Sequence, residues 1–148
     1  MSLDYATRPA NAQDYEFLFE LKKAAEYDAI KAVFGWDEQI QRDLHQQEWQ
    51  QAKPTIIERE GRPVGSYLLE HHSEHLYFGR FFLLPEWHGK GIGSQVLNQV
   101  ITQADQLRLP IKLCYLQGNR VGSLYQRLGF KRVSHNEQFV FMQRDVGV

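Results

Sequence analysis

Between Phe81 and Val96 the chain reads FFLLPEWHGKGIGSQV, and the side chains in it able to do chemistry are His88, Lys90 and Ser94, interleaved with Gly89, Gly91 and Gly93. Three glycines at alternate positions strip one side of a turn of Cβ atoms, so backbone N–H groups can close on a bulky anion. Lys90 adds a point charge and Ser94 a hydroxyl. A helix starting here adds unpaired N–H groups and the positive end of its dipole. The chemistry implied is the grip of a phosphate. A P-loop would need Gly, four residues, then Gly-Lys-Ser/Thr, whereas Lys90 stands between two glycines. A dinucleotide fingerprint would need G-x-G-x-x-G with an acid about twenty residues on, and here G-x-G-x-G is followed by Leu109-Pro110-Ile111. A glycine-rich turn that serves packing alone is the competing explanation.

The flanking elements must hold this turn. Phe81 to Leu84 is an apolar run suited to the end of a buried strand, and Pro85 stops it. Ile92, Val96, Leu97, Val100 and Ile101 then recur at helical spacing, predicting a helix to about Leu107. A second block follows the apolar strand Ile111 to Leu116. It runs Gly118-Asn119, then Val121 to Phe130, with Leu124-Tyr125 and Leu128-Gly129-Phe130 inside it.

The two blocks, in this order, resemble the GNAT family of N-acetyltransferases. Its H/Q/R-G-x-G-x-G turn holds the pyrophosphate of coenzyme A. An asparagine after its fifth strand precedes a short helix carrying Leu-Tyr and ending in Leu-Gly-Phe. The resemblance covers Tyr5 to Met142 and is specific in the two blocks. It implies one acetyltransferase domain over residues 1–148 with an α/β fold. Its mixed, mostly antiparallel sheet would have about seven strands with about four helices. The strands bearing Leu83 and Cys114 would splay apart to admit the pantetheine.

By the same resemblance acetyl-CoA is the co-substrate, and no metal is called for. Phe82, Leu83 and Leu84 would pair with its amides like an added strand. His88, Gly89, Lys90, Gly91, Ile92, Gly93 and Ser94 would hold its pyrophosphate. Asn119 would bond the pantetheine arm or stabilise the splayed strand end. Tyr125 would point its hydroxyl at the thioester sulfur and protonate the departing thiolate. A neutral amine would attack directly, without an acyl-enzyme, while a backbone N–H near Leu83 polarised the carbonyl.

The family more often has Gln or Arg where this chain has His88, whose charge is less dependable. The strand His75 to Leu84 also lacks the glutamate that often orders a deprotonating water. Deprotonation is therefore expected through water, with Glu70 or a backbone carbonyl assisting, and the base stays open. The family places the region between strands one and two over the acceptor. Tyr27, Trp36, Asp37 and Glu38 stand there, and an aromatic face beside carboxylates favours a cation. Trp36 as core and the two acids as helix caps explain the same residues equally well. The acceptor would be a primary amine of a small molecule or a peptide N-terminus. A coenzyme A-binding regulatory domain without catalysis, and a structural domain without a ligand, are the alternatives.

The 148 residues predict one domain large enough for a core of its own. With 43% hydrophobic and 13% aromatic residues, the chain has an ordinary globular composition. A net charge of -1 gives no basic footprint for nucleic acid. No apolar run is long enough for a membrane span, and a single cysteine with no signal-peptide core fits a soluble, cytoplasmic protein. A homodimer is one state the sequence allows.

A first strand is expected to end at Arg8-Pro9, with Asn11 and Asp14 as a capping pair. The next helix would bury Leu18, Leu21, Ala24 and Ala25 and reach Ala29 or Lys31. A second, after Gly35, would turn Ile40, Leu44 and Trp49 inward. Pro54 to Glu60 and Val64 to Glu70 form a hairpin, and Lys131 to His135 with Gln138 to Met142 another. His71 and His75 lack metal-site spacing and are expected in a solvated loop. Cys114 is expected as a small buried hydrophobe.

Overall fold

The computed structural model describes residues 5–148. Strand β1 (Ala6–Pro9) leads through a short 3-10 turn to helices α1 (Tyr15–Phe34) and α2 (Glu38–Gln51). Strands β2 (Thr55–Arg59), β3 (Arg62–His71) and β4 (Leu76–Leu83) form a meander. Then come α3 (Ile92–Leu107), β5 (Ile111–Leu116), α4 (Gly122–Arg127), β6 (Lys131–His135) and β7 (Phe139–Arg144). The seven strands make one sheet in the order β1-β2-β3-β4-β5-β7-β6. Only β4 and β5 are parallel, so the sheet is mixed and mostly antiparallel, as expected.

Alternation along β2 decides the layering. Ile56 packs with Leu18 and Leu21 of α1, whereas Ile57 packs with Ile92 and Val96 of α3, and both isoleucines are fully buried. Successive strand residues point to opposite faces, so α1 and α3 cover opposite sides of the sheet. The larger cluster joins Leu97, Val100, Ile101 and Ala104 of α3 to Phe78, Leu113 and Met142 of the sheet and Tyr125 of α4. At the start of α1 the capping pair forms as expected. Asn11 Oδ1 accepts from the Gln13 N–H at 2.9 Å and Asp14 Oδ2 from the Asn11 N–H at 2.8 Å. Arg8 reaches over from β1 and holds both oxygens of buried Asp14, which keeps that carboxyl below its usual range.

The two N-terminal helices depart from expectation. α1 continues to Phe34 because Ile30 is still buried, and Phe19 joins its inner face while Ala24 is exposed. On α2 the buried residues are Gln41 and His45, whereas Ile40 and Leu44 are 56% and 40% exposed. Polar anchors set this rotation. His45 donates Nε2–H to the Tyr15 carbonyl at 2.8 Å, and its ring lies 4.5 Å from that of Tyr15. Arg42 lies 3.7 Å over the Phe19 ring and pairs with Glu16. Trp49 does turn inward, edge-on to Tyr15.

The feature that opens the fold is the β4–β5 junction. Register holds only at Leu76↔Ile111 and Tyr77↔Lys112, after which the strands separate. β4 also carries an extra residue against β3, between Gly79 and Phe82, where Arg80 adopts φ +46°. Such a conformation costs roughly 1–2 kcal/mol for a side chain with a Cβ. Three contacts from Arg80 to the C-terminal end of α2 and its cap offset it: the Glu48 and Ala52 carbonyls at 3.2 and 2.9 Å, and the Glu48 carboxylate at 3.1 Å. The bulge turns the end of β4 away from β5. Among the described residues no helix is long and apolar enough to cross a membrane.

Candidate active site

Past the end of β4, Pro85 starts a 3-10 turn and His88 folds back to donate Nε2–H to the Leu83 carbonyl at 2.8 Å. Gly89 and Gly91 follow at φ +71° and +87°, a region where side chains are strained. Gly91 occupies the N-cap of α3, and among the described residues no side chain caps this helix of 16 residues. Its leading N–H groups, on Ile92, Gly93 and Ser94, face forward with the positive end of the dipole. Gly93 has a different reason to be glycine. A Cβ there would come within 3.3 Å of both Leu124 and Phe81, so its absence lets α3 seat tightly on α4 and β4. The Ile92 side chain is core, leaving only its backbone to the turn. Lys90 is exposed, its ammonium 5.8 Å from the Trp87 ring centroid.

This helix start opens on a cleft of about 530 Å³ between the end of β4 and the turn that follows β5. Phe82, Leu83, His88, Gly89, Gly91, Gly93, Ser94 and Asn119 line it, whereas Leu84, Lys90 and Ile92 do not. Leu84 donates its N–H to Val64 on β3. By strand alternation the Leu83 N–H therefore points to the gap. Asn119 accepts from the Val121 N–H at 3.0 Å and donates its own to the Leu116 carbonyl, fixing the turn after β5. Two cationic lining residues escaped the sequence reasoning: Arg120 and Arg127, both exposed and without an ion pair among the described residues. Their clue was a position one residue after Asn119 and one turn after Leu124.

A second cleft, of about 710 Å³, lies over β4 and β5 where they part, beneath α1 and α2, and Phe82 lines both. Neighbours on α1 divide likewise, Ala25 facing the first and Glu26 the second. The floor of the second is polar. Glu48 is shared between Lys22 at 3.0 Å and Arg80 at 3.1 Å, and the Tyr77 hydroxyl meets Cys114 Sγ at 3.4 Å. Cys114 is thus half-buried on a cleft and not in the core as expected. Glu26 makes no hydrogen bond or ion pair among the described residues. Burial pushes its carboxyl up to about 6, with Glu48 adding to the shift and Lys22 opposing it. Nothing in the local sequence of α1 signals this residue.

Of the predicted acceptor residues, Trp36 and Asp37 line this cleft, while Tyr27 and Glu38 do not. Tyr27 packs on Trp36 with ring centroids 5.0 Å apart. Asp37 caps α2 through the Ile40 N–H at 3.0 Å, and Glu38 accepts from Trp36 Nε1–H at 2.8 Å and pairs with Lys23. Glu70 lines neither cleft. Tyr125 is 4% exposed, its ring beside Tyr115 and Phe130, and it lines neither cleft. Burial first, then Glu26, Tyr115, Tyr77 and Cys114, raise its pKa, so the phenol stays protonated. Those four neighbours all line the second cleft, which puts Tyr125 behind its floor.

The profile of the acetyltransferase (GNAT) domain matches residues 50–132, more than half of the chain. No curated protein matches in sequence. Among solved structures, the fold is similar to a PaiA N-acetyltransferase from Thermoplasma acidophilum in complex with coenzyme A. Identity is 17%, coverage 97% of this chain and 99% of that one, and the TM-score 0.75. An acetyltransferase of the GNAT family from Staphylococcus aureus gives 14% identity, 97% and 99% coverage, and a TM-score of 0.74. N-acetylglutamate synthase from Neisseria gonorrhoeae, complexed with coenzyme A and N-acetyl-glutamate, gives 13% identity and a TM-score of 0.68. There the match covers all (100%) of this chain and 36% of that one. By the domain match over more than half of its length, with a fold shared by those structures, the chain belongs to the GNAT acetyltransferase family.

Proposed function

We propose that residues 1–148 act as one acetyl-CoA-dependent N-acetyltransferase domain, moving an acetyl group to a primary amine by direct attack. The observation that carries this is the uncapped start of α3 opening on a cleft that meets a second cleft at Phe82. The fit to coenzyme A is chemical. Unpaired N–H groups at Ile92, Gly93 and Ser94, with Arg120 and Arg127 beside them, suit a pyrophosphate. The Leu83 N–H at the gap suits an amide or a polarised carbonyl, and the Asn119 side-chain amide suits the arm. His88 holds the end of β4 in place through the Leu83 carbonyl. Acetyl-CoA, when bound, supplies an activated acetyl thioester. Tyr125, kept protonated behind the floor, is the group to protonate the departing sulfur.

An amine-dependent thiol-release assay tests this. Tyr125→Phe keeps the ring and removes the hydroxyl, so kcat should fall by about 10² to 10⁴ while coenzyme affinity stays near wild type. Coenzyme binding with no thiol release on any amine would instead mark a regulatory domain. A kcat within about threefold of wild type, with chemistry rate-limiting, would reduce Tyr125 to packing.

A further inference from the structure

The second cleft combines a charged floor with an apolar mouth. Three carboxylates line it, and two already have work: Glu48 binds Lys22 and Arg80, and Asp37 caps α2. Glu26 has no hydrogen bond or ion pair among the described residues. Facing it are Lys22 from its own helix, Glu48 from α2, Tyr77 and Arg80 from β4, Cys114 and Tyr115 from β5, and Tyr125 from α4. A carboxylate partly withdrawn from water with no hydrogen bond is disfavoured, and a cationic ligand would relieve that cost. Around the mouth, Phe34, Ile40 and Leu44 stand 51%, 56% and 40% exposed, with Phe139 beside Phe34. Phe34, Ile40 and Leu44 leave about half of themselves uncovered by the fold and line the cleft together, as the apolar wall of a ligand site does.

Resting on the acetyltransfer reading above, we infer that the acceptor is a small monoamine with an apolar body, an arylalkyl or branched alkyl amine. Its ammonium docks on Glu26, which takes its proton, while its body covers Phe34, Ile40 and Leu44. One ammonium proton passes to the Glu26 carboxylate, and the freed lone pair forms the C–N bond at the acetyl carbonyl carbon. The C–S bond breaks with its pair on sulfur, and the thiolate takes the Tyr125 proton. The extra proton on the new amide nitrogen restores Tyr125, and Glu26 returns its own to solvent. The raised pKa of Glu26 brings it closer to an amine than an exposed carboxylate would be.

The test measures thiol release with 2-phenylethylamine and isoamylamine against spermidine and lysine. The apolar monoamines should lead in kcat/KM by at least about tenfold. Glu26→Gln should lower kcat/KM for 2-phenylethylamine by about a hundredfold or more at unchanged coenzyme affinity. Leu44→Gln, at an exposed position, should raise KM for the same amine about tenfold. If carboxylate and ammonium are the reactive pair, kcat/KM is level from about pH 6 up to the amine's own pKa and falls below about pH 6. In Glu26→Gln that plateau becomes a steady rise with pH. Preference for spermidine or lysine, or a Glu26→Gln loss under about threefold, overturns the inference while leaving acetyltransfer intact. If no amine releases thiol, acetyltransfer itself fails. Calorimetry of 2-phenylethylamine on the coenzyme-loaded protein then decides. Binding weakened by Glu26→Gln upholds the docking site, and no binding, or binding unchanged by the substitution, removes it.

Discussion

Replacing Glu26 with glutamine should stabilise the protein at neutral pH and leave it unchanged in acid. The Glu26 carboxyl has a pKa of about 6 in the fold against 4.5 in an exposed chain, chiefly through burial. Between these values the folded state holds more protons than the unfolded one. Stability therefore falls as pH rises through that window and stays lower above it. At about 1.4 kcal/mol per pH unit the ionised carboxylate costs on the order of 2 kcal/mol. Glutamine keeps the shape and omits the charge. Its Tm should exceed wild type by roughly 4–8 °C near pH 7 and match it near pH 4. Scanning calorimetry at the two pH values reads this directly. A lower Tm for the variant near pH 7 would mean that the carboxylate is stabilised by an ion pair, with Lys22 the nearest candidate, and would refute the picture of a desolvated, unpartnered acid.

Arg120→Ala combined with Arg127→Ala should weaken coenzyme A binding by about tenfold to a hundredfold and flatten its salt dependence, with Tm unchanged because neither side chain has an ion pair among the described residues to lose. Titration calorimetry at two salt concentrations checks both halves. Asp37→Ala removes the α2 cap seen at the Ile40 N–H and should cost about 1 kcal/mol, a Tm drop of roughly 3 °C, with coenzyme affinity intact.

The half of the site built from local backbone was legible in the sequence. Pro85, the positive-φ glycines and the apolar face of α3 act within a few residues of one another, so spacing alone located the turn. Even there Gly93 has a second reason that spacing does not show, since it relieves packing against Leu124 and Phe81 as well as bordering the cleft. The proposed acceptor half was legible only in outline. Ile40 and Leu44 follow core spacing, but α2 is rotated by the long-range bond from His45 to the Tyr15 carbonyl, which periodicity cannot see. Glu26 looks like any surface acid of a helix until β4, β5 and α2 close around it. Arg80 likewise takes its meaning from the β4 bulge, a property of strand pairing and not of the residue.

The most direct measurement is a calorimetric titration of coenzyme A into wild type and Ser94→Asp. Ser94 is the third residue of α3 and lines the first cleft. A carboxylate there complements the helix dipole and should stabilise the fold by about 0.3–1 kcal/mol. The same carboxylate competes for the free N–H groups and repels a pyrophosphate, so affinity should fall by at least about a hundredfold. Tm up and coenzyme binding lost is the predicted pair of results. A folded Ser94→Asp protein that binds coenzyme A as tightly as wild type would contradict the assignment of the α3 N-terminus as the phosphate site.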